Sequence, residues 1–216
     1  MLLHTVIYPP RHVLDAVAEV VRSAGAAPVG ELPTTRSFLR RGGRQSSGPT
    51  AVSTLPEQLR LLAPEDMTLP IAGFGNVTSA DAIRLSKALQ TAAHNTPGAT
   101  VRLAGGTALE FPEDRNVWAR LEGDVDGLRS MSRDVTKVVE QLGFFVDRRR
   151  FRPWLCVASV TATTTPAVLE NVVAALDAFS GEPWTVDHVW LMKAFFGSRA
   201  AEFEELDRFP LAPPAP

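Results

Sequence analysis

Four stretches of this chain repeat apolar residues at intervals of three and four, and β-prone runs lie between them, which confines the fold to a mixed architecture. The first helical stripe is Val13, Ala16, Val17, Val20 and Val21; the second is Ala82, Leu85, Leu89 and Ala92, with Thr78 and Asp81 spaced to cap it. The third is Leu128, Met131, Val135, Val138, Val139 and Leu142, and Gly143 is placed to end it. The fourth is Val168, Leu169, Val172, Val173 and Leu176, begun through Thr165-Pro166 because proline suits a first helical position. Strand-like runs cover Leu2 to Tyr8, Leu69 to Phe74, Thr100 to Leu103, Asn116 to Leu121, Leu155 to Thr161, Thr185 to Lys193 and Glu202 to Phe209. Several strands are neighbours in sequence with no helix between them. The expected class is therefore α+β with antiparallel sheets rather than a doubly wound parallel fold.

With 216 residues and 45% hydrophobic content the chain can bury one sizeable core, as a single domain or two lobes sharing it. A net charge of -2 excludes a bulk polyanion binder, so any nucleic-acid contact must come from a local basic patch. Cys156 is the only cysteine, which forbids an internal disulfide and points to a reducing compartment. The start lacks a basic n-region, and no apolar run reaches the roughly 18 residues of a membrane span, so a cytoplasmic protein with no membrane partner is expected. Gly30 to Pro56, rich in Gly, Ser, Thr and Pro and holding Arg36, Arg40, Arg41 and Arg44, reads as a long loop. One domain over 1–210 and a disordered tail over 211–216 are expected, since the Pro/Ala run from Pro210 offers little to pack.

Two segments match one family pattern. The first is Ala63-Pro64-Glu65-Asp66-Met67-Thr68-Leu69-Pro70-Ile71-Ala72-Gly73-Phe74-Gly75-Asn76-Val77, and the second is Phe151-Arg152-Pro153-Trp154-Leu155-Cys156-Val157-Ala158. They resemble the two motifs of the 2'-5' RNA ligase-like (LigT-like) branch of the 2H phosphoesterases. There a Pro-Glu approach leads into His-x-Thr and an apolar strand, and the second motif reads Phe-Arg-Pro-His-x-Thr-Leu-Ala. Pro9-Pro10 after the first strand, Leu121-Glu122-Gly123-Asp124 before the third helix and Arg208-Phe209-Pro210 near the end are similar to the same family. The resemblance implies a bilobal α+β fold, two antiparallel sheets lining a central groove with helices packed outside. It implies RNA 2',3'-cyclic phosphodiesterase or 2'-5' RNA ligase chemistry by two histidines, general base and general acid, and no cofactor. Residues two apart on a strand share a face, so each motif would present one imidazole and one hydroxyl to the groove.

At those positions this chain departs from the pattern throughout. Thr68 and Pro70 stand in the first motif and Trp154 and Cys156 in the second, with no imidazole at either. Positioned acid–base groups give ~100- to 10,000-fold each, so the family's usual chemistry is expected to be absent. Candidate ligand-binding residues are Thr68, Trp154, Cys156, the strip Arg148, Arg150 and Arg152 (with Arg149), and His4 on the first strand. Trp154 admits two readings: a platform for a base, or an apolar plug of the old site with Pro70 opposite. His12 and His94 read as solvated, and His188 beside Asp187 as exposed; no zinc spacing is present. Gly73-Phe74-Gly75 and Gly105-Gly106 read as turn or bulge glycines at strand ends, and the acidic residues Glu202, Glu204, Glu205 and Asp207 as the solvent face of a last strand that half-buries Phe203 and Leu206. Three functions stand open: a non-catalytic binder of RNA, a nucleotide or another phosphorylated small molecule; a phosphodiesterase rebuilt around Cys156 or His4; and a protein-interaction domain.

Overall fold

In the computed structural model the described residues are 1–26, 58–144, 146, 151–196 and 201–214. The chain runs β1 (Leu2–Ile7), α1 (Arg11–Ala26), β2 (Leu59–Leu61), a 3-10 turn (Pro64–Asp66), β3 (Leu69–Asn76), α2 (Ser79–Asn95), β4 (Ala99–Ala108) and β5 (Asn116–Gly123). It continues through α3 (Val125–Gln141), β6 (Trp154–Val160), α4 (Pro166–Ala178), β7 (Trp184–Val186), β8 (His188–Phe196) and β9 (Ala201–Pro210). The helix ends follow from local chemistry. Thr78 Oγ1 accepts the Asp81 N–H at 3.2 Å, Thr165 caps α4 ahead of Pro166, and Gly143 takes a φ of 77° after α3.

The strands form two antiparallel sheets, β3-β1-β8-β9 and β2-β6-β5-β4-β7, hereafter sheets A and B. Helices α2 and α3 pair over sheet A, where α3 lies on β3 and α2 on β9; α1 and α4 pair over sheet B, on β6 and β4. Thus α1 leaves a strand of sheet A to cover sheet B, and α3 leaves a strand of sheet B to cover sheet A. Neither sheet buries its apolar face without the other half of the chain, and one continuous core results, running from Leu3 and Leu69 through Leu128 and Met131 to Leu155 and Leu176. Leu128, Met131, Val135 and Val139 of α3 are all buried, each contributing about 1.5–3 kcal/mol relative to exposure.

Several expectations need correction. The run from Thr185 to Lys193 is two strands: β7 pairs with β4 and β8 with β1, with Asp187 between them. The glycines are bulge positions, as read, where the pairing registers shift opposite Gly73–Asn76 and at Leu103/Gly106 and where Gly75 and Gly105 take positive φ; only the placing of Gly105-Gly106 changes, since they lie within β4 and not at its end. Phe203 and Leu206 are 52% and 39% exposed, because β9 is an outer strand whose pairing slips by a residue between Leu191 and Met192. The first tail residues are held, Leu211 N donating to Asp187 O and Ala212 N to Thr96 O. His188 is half-buried against Trp190 instead of exposed. The segment over 30–56 lies outside the described residues.

Candidate functional site

The two motif strands, β3 of sheet A and β6 of sheet B, lie in contact across the seam between the sheets. On β3, Leu69 is fully buried and Pro70 exposed; the partners Ile7↔Leu69 and Val6↔Pro70 fix which side each takes. On β6, Leu155 and Val157 are fully buried under the helices, whereas Trp154 and Cys156 are half-buried on the opposite face. Thr68, half-buried just before β3, has its N–H on Asp66 O at 3.1 Å. Neither β3 nor β6 carries a histidine.

Around Trp154 the structure assembles a cluster that sequence reasoning missed in part. Cys156 pairs with Trp118 and Trp154 with Arg120 across β5, so Trp118 and Trp154 share a face, with ring centroids 6.5 Å apart. Phe111, from the β4–β5 connection, lies 6.3 Å from Trp118. The Arg152 guanidinium stands 4.4 Å over the Phe111 ring and 5.2 Å from that of Trp154, joining these two rings through cation–π contacts, while Trp118 meets each of them ring to ring. Asp114 anchors the connection by accepting from Trp118 Nε1 at 2.9 Å and from Glu110 N and Asn116 N at 3.1 Å each. Arg152 is exposed and, among the described residues, pairs with no carboxylate, so its donors remain available to an anion. Arg148 and Arg150, with Arg149, lie outside the described residues.

Cys156 sits beneath this cluster. Burial pushes its thiol up to about 12, with the charge on Asp114 adding to the effect, and its Sγ lies 3.8 Å from Ala158 O. It is a protonated, weakly reactive thiol at neutral pH. His4 belongs to the other wall: its ring meets Phe203 edge-on at 5.2 Å, and burial holds its pKa below the ordinary 6.5, so it is uncharged at pH 7. Just past the end of β1, Tyr8 meets Trp190 edge-on at 5.3 Å and donates to Met192 Sδ at 3.9 Å. His4 and Cys156 thus stand on different sheets with different partners, and no described contact brings them together as an acid–base pair. Of the missed residues, Tyr8, Trp118 and Trp190 had a legible signal, since each falls in a strand-like run where alternate residues share a face; Phe111, between two such runs, had none. Among the described residues no cluster of His, Cys, Asp and Glu is arranged to hold a metal, and no helix is long and apolar enough to cross a membrane.

No family model matches the sequence, and no curated protein matches it. Solved structures do. TT0787 of Thermus thermophilus superposes with a TM-score of 0.66 at 15% identity, covering 99% of both chains. LigT of E. coli, complexed with 3'-AMP, superposes with a TM-score of 0.64 at 17% identity, covering 97% of each chain. A crystal structure described as a phosphoesterase gives a TM-score of 0.62 at 18% identity over 97% of each. LigT of E. coli has also been crystallised with NADP+, ATP and phosphate. The whole-chain superposition, the two antiparallel sheets and the contact between β3 and β6 together show that this chain has the LigT-like 2H phosphoesterase fold.

Proposed function

We propose that the protein is a non-catalytic binder of a nucleotide or related phosphorylated small molecule, seated in the groove between its sheets, and that the two-histidine phosphodiester chemistry of the fold is lost. The observation that carries this reading is the Arg152–Phe111–Trp154–Trp118 cluster at the second motif, on a pair of strands without an imidazole. Indole and phenyl faces stack on a base, worth about 1–3 kcal/mol each in single-strand binders, and a guanidinium without a carboxylate partner donates to phosphate oxygens. The LigT complexes with 3'-AMP, ATP and phosphate favour the same ligand class for this scaffold. Rebuilt catalysis through Cys156 is disfavoured by its protonated state, and a base–nucleophile pair with His4 by their separate partners.

Titration with 3'-AMP, followed by tryptophan fluorescence, tests the reading. Saturable quenching is expected, weakening as salt rises and reduced about 10- to 100-fold in Arg152→Ala, the effect of losing a charge-assisted hydrogen bond. A short oligonucleotide in place of 3'-AMP tells whether RNA is the preferred partner. Turnover of 2',3'-cyclic AMP that disappears in Cys156→Ser or His4→Ala would overturn the non-catalytic assignment. No response to any nucleotide at low salt would remove the binding assignment.

A further inference from the structure

The rings at the second motif already hold a cation. Phe111 and Trp154 both face the Arg152 guanidinium, with ring centroids 4.4 Å and 5.2 Å from its Cζ. Both distances fall within the roughly 6 Å over which a ring face attracts a positive charge. Trp118 completes the set, tilted at 43° to Phe111 and at 51° to Trp154, so the three faces are inclined to one another and not stacked. Phe111 is 37% exposed and both indoles are half-buried, which leaves the ring faces within reach of solvent.

The surroundings add negative charge without a free acceptor. The β4–β5 connection, 109–115, carries Glu110, Glu113 and Asp114 against Arg115 alone. The Asp114 carboxylate accepts from Trp118 Nε1, Glu110 N, Asn116 N and Asn116 Nδ2, and these four hydrogen bonds fill its roughly four lone-pair positions. All four donors are neutral, so they leave its charge in place. That charge reaches the ring face, where it helps to push up the thiol of Cys156. Arg120, which pairs with Trp154 across β5, is engaged with Asp177 at 3.1 Å. A primary ammonium carries three N–H donors that need acceptors and a tight hydration shell that must be given up. A methylated ammonium has no N–H; ring faces and a negative field suffice for it, and this site offers both.

We propose that Phe111, Trp118 and Trp154 form a cage for a small quaternary ammonium of the choline type, and that Arg152 fills this cage from within the chain until such a ligand displaces it. The inference goes beyond the nucleotide reading and does not rest on it: there Arg152 assists the ligand, here it competes with it.

The probe is choline, titrated at constant ionic strength, with its neutral carbon isostere 3,3-dimethylbutan-1-ol as control. The indole N–H signals of the four tryptophans are followed by ¹H–¹⁵N NMR, with two of them assigned through Trp118→Phe and Trp154→Phe. Saturable shifts of the Trp118 and Trp154 signals are expected with choline and not with the alcohol. The midpoint should fall about five- to thirtyfold in Arg152→Ala and in Arg152→Gln, the change that release of the resident cation–π contacts allows. Adding Trp154→Leu to Arg152→Ala should raise it again by at least about fivefold. Arg152 is exposed, so its two variants report on the cage even if the loss of Trp154 unfolds the strand. Choline binding that is unchanged or weaker in both Arg152 variants, an equal response to the alcohol, or shifts confined to Trp184 and Trp190 overturns the inference. If choline fails while 3'-AMP binding still needs Arg152, the cage falls and the nucleotide reading stands. If choline tightens in Arg152→Ala while 3'-AMP binding is indifferent to that change, the cage stands and the nucleotide reading falls.

Discussion

Thiol–disulfide exchange at Cys156 separates a spent site from a rebuilt one. With its thiol raised from 9.0 to about 12, the native protein at pH 8 holds about one thiolate in 10,000, against about one in ten for an unperturbed thiol. That is a deficit of roughly 1,000-fold. A thiolate of higher pKa is also more nucleophilic, and a Brønsted slope near 0.45 returns about 20-fold of it, leaving a net slowing of roughly 50-fold. Shielding by the packed strand face adds to this figure. The assay is the time course of reaction with a chromogenic disulfide at pH 8, native protein against the same chain in denaturant. Because Cys156 is the only cysteine, no other thiol contributes to the signal. A native rate within about threefold of the denatured one would refute the argument, since it requires an accessible, ionisable thiol of the kind a rebuilt nucleophile needs. The same shift carries a sign for stability. The unfolded chain loses the thiol proton above pH 9 while the folded chain keeps it, so stability falls as pH rises from 9 toward 12, by up to about 1.4 kcal/mol per pH unit. Between pH 8.5 and 10, Cys156→Ser should flatten that slope in urea unfolding.

Four further outcomes follow from the geometry. Burial holds the folded His4 below 6.5, so the unfolded state takes up a proton first as pH falls; stability should drop below pH 6.5, and His4→Phe, which keeps a ring against Phe203, should remove that drop in chemical unfolding. Trp118→Phe removes the 2.9 Å bond to Asp114 and should cost about 1 kcal/mol by urea melt, with faster proteolysis in the connection that carries Phe111. In Gly98→Ala the new Cβ would stand 2.5 Å from the Val186 backbone oxygen, so a loss of about 1–3 kcal/mol is expected from overpacking; at Gly143, with φ of 77° and nothing within 4 Å, alanine should cost about 1 kcal/mol through backbone conformation alone.

Taken by itself, the sequence determined the four helices, their caps at Thr78 and Thr165, the stop at Gly143 and the mixed α+β class, because these rest on periodicities and hydrogen bonds spanning three or four residues. It also placed Leu155 and Val157 on one face and Trp154 and Cys156 on the other, since alternation along a strand is local. Tertiary structure decided which sheet each strand joins. Nothing within the run from Thr185 to Lys193 marks Asp187 as a crossing between sheets; the crossing exists because β7 finds its partner on β4 and β8 finds its partner on β1. Bulges opposite Gly73–Asn76 and at Gly105 likewise depend on the partner strand's register, as does the pairing of β2 with β6. The stacking of Arg152 on Phe111, 41 residues away in sequence, and the cavity that both Tyr8 and Trp184 line arise only when both sheets are assembled, because side chains from distant segments meet there with no local pattern to announce them.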